Sequence, residues 1–525
     1  MSRTNERKAE PRTVSRRDRE RRAHRLLLAA CALFALASLT LVPLGLRLGW
    51  DEIVYASRFG PFAPDGPGVP FSAPRTRGVP LLLAPVAAWS DSVVLLRAWL
   101  TLLATAALYL GFRPWLRAVP RAPEAAAVAA GLYGGLWIAL FYASAAMPNH
   151  YTAMGAAAAV GLFVRARPGP RACLGVGAGV AVATLMRPND GGAVALPLLL
   201  AAALVPAWRS WGRALAVLGG VGAGFVPWAV EAYARFGGVR ERLDEASAVQ
   251  GGLRLTDSAL HQFTTIDGPL LCRPCAGDGV RPFALEWWLL LAVLVPVGLW
   301  SARGARRTAA AGLLAVATAV AAALPYVLFV PYAAPRFLLP AHALLAVPAA
   351  LGVLAVARWA RGAQRAQGAQ EVQRAQGVRE VRRAAGLGAR LPALTGGLLG
   401  LALFGHLLAQ VVLTAGSARV QGSAREDWER VADVLRAHGV RAPCLLRASA
   451  SEIPLAYVAG CEPAGREAGR RPTALVLREA PPPPWARAWR HVRVPDTYAP
   501  DWNVYVRPTP TPLTGMRNHP SGSRS

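Results

Sequence analysis

The sequence predicts an all-α polytopic membrane bundle of about eleven transmembrane helices, followed by a small extracytoplasmic α/β domain. Three observations predict this fold class: 54% of the 525 residues are hydrophobic, only 17% are charged, and the charged residues cluster between long apolar runs. A soluble chain of this length would divide into several domains with far more charge. The composition therefore excludes an ordinary soluble protein.

A helix needs about 20 mostly apolar residues to cross a bilayer. The candidate spans are residues 26–46, 93–112, 124–144, 151–166, 172–186, 192–207, 213–231, 286–302, 308–330, 336–357 and 391–414. Several of them are short and rich in Ala and Gly, which favours close packing between helices.

Arginine placement orients these spans. The head, residues 1–25, holds ten Lys/Arg against four Asp/Glu, so the N-terminus is predicted to be cytoplasmic. The even-numbered spans then lead into arginine-rich loops: 113–121, 165–171, 208–213, 301–307 and 358–390. This alternation predicts a cytoplasmic (plasma) membrane protein with its C-terminal domain outside.

The net charge of +28 does not indicate a nucleic-acid partner, because the basic residues lie in alternating short loops. Four cysteines are predicted to lie in the oxidising space outside: Cys272, Cys275, Cys444 and Cys461. We expect Cys272–Cys275 and Cys444–Cys461 disulfides, although the C-x-x-C pair would also fit half of a zinc site.

The chain divides into four predicted parts. These are a basic head (1–25), a membrane domain (26–415), an external α/β domain (416–507) and a disordered tail (508–525). The membrane domain includes external loops 50–92 and 232–283, an interfacial helix over 81–89 and a low-complexity cytoplasmic linker over 358–390. The α/β domain is predicted to contain a helix over 425–438, a second helix around 456–458, and strands at 444–446, 474–477, 491–494 and 504–506.

Asp51 and Glu52 lie directly after the first span. Two adjacent carboxylates at a membrane surface are suited to accept a proton from a hydroxyl or to hold a cation. The alternative is a pair of solvated interfacial charges beside Trp50.

Five arginines fall on the predicted outer side, where orientation rules do not require them: Arg75, Arg77, Arg97, Arg187 and Arg336. A phosphate or diphosphate would satisfy several guanidinium groups at once. The alternatives are ion pairs with Asp51, Glu52, Asp91 or Asp190, or contact with lipid headgroups.

His150 follows the third span and would serve as a base or hydrogen-bond donor, although a lone interfacial histidine is more often structural. His342 and His406 lie within later spans, where helix packing is the expected role.

An anchor helix, the Asp51–Glu52 pair, a long amphipathic external loop, an apolar segment led by Pro80, and Arg97 at the head of the second span form one pattern. This pattern resembles the GT-C superfamily of glycosyltransferases over about residues 26–350. The superfamily includes protein O-mannosyltransferases and aminoarabinose transferases that use polyprenyl-phosphate sugars.

The resemblance implies that Asp51 activates the acceptor and that the sugar leaves a lipid phosphate with inversion, with Glu52 beside the base. Many members carry a second acid near the outer end of the third or fourth span, where this chain has Asn149-His150. That departure puts a divalent metal in doubt, and the sequence itself requires no cofactor. The partners implied are a polyprenyl-phosphate sugar, membrane lipids and a glycan, lipid or protein acceptor.

Two other functions remain open at this stage: a transporter or flippase for a lipid-linked glycan, and a non-catalytic membrane scaffold. Transporters place ionisable sites near the midplane, often in two related halves, which this sequence does not display. Deleting residues 416–525 would distinguish a scaffold, which would lose all function, from a transferase with a membrane-embedded site.

Overall fold

The computed structural model describes residues 15–63, 69–165, 169–252, 254–256, 258–267, 270–273, 285–375, 390–465 and 471–508. The chain forms two compact units. The helical unit comprises Met1–Leu46 and Phe71–Val420, and the sheet unit comprises Arg47–Pro70 and Gln421–Ser525. The main difference from the predicted domains is that the segment after the first span, Arg47–Pro70, belongs to the C-terminal unit.

The described residues form helices α1 (Arg16–Leu41), α2 (Trp50–Ala56), α3 (Gly78–Ala87), α4 (Val93–Phe112), α5 (Trp115–Ala118), α6 (Ala125–Gly134), α7 (Trp137–Ala143), α8 (Asn149–Phe163), α9 (Pro170–Met186), α10 (Pro188–Leu204), α11 (Trp211–Arg235), α12 (Val239–Val249), α13 (Ala259–Thr264), α14 (Glu286–Ser301), α15 (Arg306–Leu328), α16 (Leu339–Ala375), α17 (Arg390–Ala437) and α18 (Glu452–Ala459). A 3-10 turn, Pro335–Leu338, precedes α16.

Every predicted span overlaps a helix, and the multi-pass membrane character is confirmed. Within the described residues, six helices are long and apolar enough to cross a membrane, or seven if α6 and α7, bent by 77°, form one broken span. The count of eleven is therefore not established. Helices α9 and α10 have 17 residues each and reach only about 26 Å, less than the ~30 Å hydrocarbon core.

Two helices extend beyond their predicted bounds. Helix α16 continues through Ala375, into the first part of the linker predicted over 358–390. Helix α17 is continuous over 48 residues, where two separate helices were expected. Residues 415–424 contain no proline, and Gly416 and Gly422 each weaken a helix by only about 1 kcal/mol, so the helix continues through them.

Small residues set the distance between helices α8 and α9. A Cβ at Gly155 would lie 2.6 Å from the Gly179 carbonyl oxygen, and one at Gly179 would lie 2.7 Å from the Gly155 carbonyl oxygen. A larger residue at either position would push helices α8 and α9 apart. This contact fits the packing expected of spans rich in glycine and alanine.

The sheet unit holds five strands: β1 (Leu445–Ala448), β2 (Glu462–Pro463), β3 (Ala474–Arg478), β4 (Arg490–Arg493) and β5 (Trp502–Val506). Their order is β2-β1-β3-β5-β4, with β1 parallel to β2 and β3, and β5 antiparallel to β3 and β4. The predicted C-terminal sheet is confirmed, and only the two-residue β2 was missed.

Helices α17 and α18 supply the apolar side of the sheet unit. Val431 and Leu435 of α17 and Leu455 of α18 share a core with Leu446 of β1 and Val504 of β5. A disulfide joins Cys444 to Cys461, just before β1 and just after α18.

Some predictions lie outside the described residues. These concern residues 376–389 of the linker, the tail from residue 509, and Cys275, so the Cys272–Cys275 pairing stays a prediction.

Candidate functional site

The two predicted carboxylates lie in α2 of the sheet unit and have different surroundings. Gly49 precedes the helix, and its amide donates to Glu52 Oε2 at 2.7 Å. The same oxygen accepts from Arg425 Nη1 at 3.3 Å, and Glu52 is buried. Asp51 is partly exposed in the first turn. Of the two acids, Asp51 is therefore the one accessible to a substrate.

Arg425 ties this segment to α17. Its guanidinium also donates to the carbonyl of Arg47, and the Arg47 side chain lies 3.3 Å from Glu429. A Cβ at Gly49 would come within 2.8 Å of Arg425 Nη2, so the guanidinium can lie this close to the backbone only because residue 49 is glycine. The Glu52 carboxylate thus has a structural role in positioning α2.

In the helical unit, Arg77 belongs to an ionic cluster around the buried Glu231 of α11. Arg77 lies 2.5 Å, Arg235 2.7 Å and Arg242 3.1 Å from the Glu231 carboxylate. Arg242 also donates to the carbonyls of Ala73, Trp228 and Arg75, which fixes the backbone that carries Arg75 and Arg77. Burial lowers the pKa of Arg242, and the neighbouring Glu231 opposes that shift. Three guanidiniums share one carboxylate, so the cluster is net positive.

Arg187 lies between α9 and α10 and forms a second cluster. Its Nε is 3.1 Å from Asp190, and its Nη2 donates to the Tyr326 hydroxyl at 2.6 Å. That hydroxyl donates to Asp190 Oδ1. Asp190 and Tyr326 are buried, whereas 23% of the Arg187 side chain is exposed. The guanidinium is therefore held from one side and accessible from the other.

Two contacts connect these arginines. The Thr76 hydroxyl donates to the Met186 carbonyl at 3.0 Å, which places the Arg77 segment beside the residue that precedes Arg187. The guanidinium carbons of Arg187 and Arg336 lie 5.1 and 5.4 Å from the Phe337 ring centroid. The helical unit thus brings together three of the predicted phosphate ligands from distant parts of the chain: Arg77, Arg187 and Arg336.

Arg336 and Arg97 are more deeply buried than the others. Arg336 donates to the Leu270 carbonyl at 2.8 Å and to the Tyr142 hydroxyl at 3.3 Å. Arg97 is 1% exposed and donates to the carbonyls of Leu46 at 2.6 Å and Ser144 at 3.0 Å. Both contribute positive charge to the region, but Arg75, Arg77 and Arg187 are the partly exposed members of the set.

His150 lies in the core between α4, α6 and α8. Its ring nitrogens lie 3.1 Å from the Tyr133 hydroxyl and 2.9 Å from the Ala104 carbonyl oxygen, and it is 1% exposed. These contacts are those of a packing residue. The substrate-binding role of His150 stays a prediction that its burial does not favour.

Asn149 and Ser144 have unsatisfied polar groups. Both side chains are buried, and neither the Asn149 amide nor the Ser144 hydroxyl has a hydrogen-bond partner in the described part of the chain. Buried polar groups of this kind are rare and call for a water, an ion or a ligand. Ser144 is also the residue whose carbonyl accepts from Arg97.

The later histidines lie in helix contacts, as expected from the sequence. His342 Nδ1 accepts from Trp287 Nε1 at 3.0 Å. His406 Nδ1 lies 2.6 Å from Glu286 Oε2, and Gln410 Nε2 donates to Glu286 Oε1 at 2.7 Å. In the described part of the chain, no group of three or more His, Cys, Asp or Glu side chains could hold a metal ion.

Three residues that hold the predicted arginines were not identified from the sequence: Glu231, Tyr326 and Arg242. Glu231 had a detectable signal, since it is an acid within a long apolar helix and lies four residues before Arg235. Tyr326 and Arg242 had none, because their partners lie far away in sequence. Asp190 was considered only as an ion-pair partner, and it does pair with Arg187.

No protein-family model matches the chain, and no curated protein matches it in sequence. Its fold is similar to that of ArnT from Cupriavidus metallidurans bound to undecaprenyl phosphate. The identity is 15% over 91% of this chain and 97% of that chain, with a TM-score of 0.56. For ArnT in the apo state the coverage and identity are the same and the TM-score is 0.55.

The Archaeoglobus fulgidus oligosaccharyltransferase in the apo form is also matched, with 13% identity, a TM-score of 0.46, and coverage of 83% of this chain and 64% of that chain. The ArnT likeness confirms the predicted fold at a coarser level, a mostly helical multi-pass membrane protein with a small C-terminal sheet.

Proposed function

We propose that this chain is a membrane glycosyltransferase. It moves a sugar from a polyprenyl-phosphate donor to an acceptor at the outer face of the cytoplasmic membrane. Asp51 is the general base, and the anomeric configuration is inverted.

The observation that carries the proposal is the arrangement of Arg77 and Arg187. Both guanidiniums are partly exposed, both are held by buried acids, and the Thr76–Met186 hydrogen bond keeps their segments adjacent. Guanidinium forks match phosphate oxygens. The ArnT structure with a similar fold holds undecaprenyl phosphate, which supports the same class of donor here.

Unsatisfied polar groups add support. The buried Asn149 amide and Ser144 hydroxyl have no hydrogen-bond partners among the described residues. Leaving such groups unpaired costs about 1–3 kcal/mol each. Hydroxyl groups of a sugar would satisfy them, because each can both donate and accept a hydrogen bond.

The proposed reaction has one displacement. The Asp51 carboxylate takes the proton of an acceptor hydroxyl while the oxygen of that hydroxyl attacks the anomeric carbon of the donor sugar. The bond from that carbon to the phosphate oxygen breaks, and its electron pair leaves with the polyprenyl phosphate. Negative charge develops on the leaving phosphate in the transition state. Electrostatic interactions between the arginines and this phosphate would then become stronger and lower the barrier.

The test is sugar transfer by the purified protein from a polyprenyl-phosphate sugar. Asp51→Asn keeps the size of the side chain and removes the base, so we expect transfer to fall at least about 100-fold. Asp91→Asn is the matched control, since Asp91 is exposed in the same predicted external segment. Elution of both variants in a symmetric peak on size-exclusion chromatography would show intact folding.

Full transfer by Asp51→Asn would exclude Asp51 as the base. Absence of transfer in the wild-type protein, together with donor movement between the leaflets of a vesicle, would favour the flippase alternative.

A further inference from the structure

A second group of arginines surrounds a cavity of about 540 Å³ in the helical unit. The cavity lies where the start of α1, the end of α4 with α5, and the end of α8 meet. Five arginines line it: Arg17, Arg21, Arg113, Arg117 and Arg165. We refer to them as the cavity arginines. They take no part in the transfer reaction proposed above.

The cavity arginines are not neutralised. Glu20 is the acid in the lining, and it pairs with Arg16 at 3.2 Å, which lies outside the lining. Within the described ranges, none of the five guanidinium groups has a carboxylate within ion-pair distance. Burial, and then repulsion from Arg117, lower the pKa of Arg165. Arginine nevertheless keeps its proton in proteins, so the cavity concentrates positive charge.

The rest of the lining is apolar. Leu110, Leu116 and Leu162 form part of the same wall, and Pro114 lies between the two turns that carry Arg113 and Arg117. Arginines beside an apolar wall present both surfaces that an anionic phospholipid requires, one for the phosphate and one for the start of an acyl chain. Basic clusters next to a membrane span attract anionic lipids by this combination.

All three segments that form the cavity are arginine-rich ones that the sequence assigns to the cytoplasmic side. The cavity is also remote from the candidate donor site. Arg97 and Arg113 lie near opposite ends of α4, a helix of 20 residues that is about 30 Å long. Negative lipids are concentrated in the cytoplasmic leaflet, so charge and predicted location agree.

We propose that this cavity is a phosphate-binding site for the phosphate group of an anionic phospholipid or of a soluble phosphate compound. The cavity arginines contact the phosphate oxygens, and the leucine wall contacts the lipid chain when the ligand is a lipid.

The test compares two double variants of the full-length protein in a neutral detergent. Arg113→Gln with Arg117→Gln removes two cavity arginines that are exposed, so folding should be kept. Arg306→Gln with Arg307→Gln is the matched control, since these arginines are exposed, lie in another loop predicted to be cytoplasmic, and do not line the cavity. Native mass spectrometry with added phosphatidylglycerol or phosphatidylcholine measures lipid binding.

We expect phosphatidylglycerol to bind the wild-type and control proteins at least about tenfold more tightly than the cavity variant, since two charge-assisted contacts are lost. Phosphatidylcholine should bind all three proteins alike. Equal phosphatidylglycerol binding by the cavity and control variants would overturn the lipid form of the proposal.

A second measurement tests whether the ligand is a soluble phosphate compound. The unfolding temperature is measured in inorganic phosphate and in chloride at equal ionic strength, and the rise caused by phosphate is compared among the three proteins. A rise in the wild-type and control proteins that is absent from the cavity variant identifies a soluble phosphate ligand. If neither lipid nor phosphate distinguishes the cavity variant from the control, the cavity is not a phosphate site.

Discussion

Arginines occur at both ends of the helical unit, and the two groups differ in what surrounds them. Near the end of α9 and α11, Arg187 and Arg242 are held by Asp190, Tyr326 and Glu231. The cavity arginines, around the start of α1 and the ends of α4 and α8, have no carboxylate partner in the described part of the chain. The Arg242 side chain has no exposed surface, whereas Arg113 and Arg117 are exposed.

The difference shows that a buried arginine has hydrogen-bond and ion-pair partners within the protein, whereas an exposed arginine does not need them. A guanidinium taken out of water needs acceptors for its donors, and Arg242 has three carbonyls and a carboxylate. A guanidinium at the surface keeps its water and needs none. The arginines with buried partners are therefore oriented before any ligand arrives, and the cavity arginines are free to rearrange around one.

The largest expected difference is between removing the charge of Glu231 in the first group and removing the charge of Glu20 beside the cavity arginines. Glu231→Gln removes the charge shared by Arg77, Arg235 and Arg242, and we expect a loss of about 3 kcal/mol, because breaking a buried pair leaves uncompensated charge. Glu20→Gln in the cavity should change stability by less than about 0.5 kcal/mol. Unfolding in detergent measures both, and equal losses would show that burial is not what distinguishes the groups.

An intermediate effect is expected from removing one hydroxyl. Tyr326→Phe takes a hydrogen bond from both Asp190 and Arg187, and should destabilise the fold by about 1–2 kcal/mol. The matched change is Tyr109→Phe, whose hydroxyl lies 2.8 Å from His24 Nε2 beside the cavity. That contact is less buried, so we expect less than about 0.5 kcal/mol.

Tyr326→Phe also tests whether the orientation of Arg187 matters for the proposed reaction. If the Tyr326 hydroxyl has a purely structural role, Tyr326→Phe should lower the unfolding temperature and leave the kinetic constants unchanged. If Arg187 binds the donor phosphate, the KM for the donor rises with little change in kcat, and Tyr109→Phe leaves both constants unchanged.

The smallest expected effect concerns salt. Repulsion among exposed charges is screened by ions, so raising sodium chloride should stabilise the wild-type protein by less than about 1 kcal/mol. The double variant Arg113→Gln with Arg117→Gln should show a weaker salt response than the Arg306→Gln with Arg307→Gln control. An identical response in both would place the repulsion elsewhere.

The membrane fold was predictable because long apolar runs have few alternatives to helices. The C-terminal strands were predictable for a related reason, since short apolar runs such as 474–477 are separated by polar and proline-rich segments. The continuity of α17 was not, because Gly416 and Gly422 resemble helix ends in the sequence. Whether a glycine ends a helix depends on packing, which one sequence does not contain.

The candidate site was predictable only in part. The arginines predicted to lie on the outer side were identifiable because the predicted orientation of the spans does not explain them. Their partners were not, since Arg77 and Glu231 are 154 residues apart. The same pattern selected Arg97 and His150, and both side chains are buried, so their ligand-binding roles stay predictions. Proximity to a span end does not reveal whether a side chain points toward solvent.

The bond between Glu52 and Arg425 has a consequence for how this protein can be divided. The sheet unit is assembled from two stretches of chain that are more than 300 positions apart, since that carboxylate and that guanidinium are separated by 373 residues. A recombinant fragment starting at residue 421 would lack α2, and the Tyr457 hydroxyl would lose the Phe62 carbonyl to which it donates. Removing residues 416–525 would likewise take Arg425 from Glu52. That truncation therefore alters the surroundings of Asp51 as well, and cannot separate a scaffold from a transferase; a point substitution such as Asp51→Asn can.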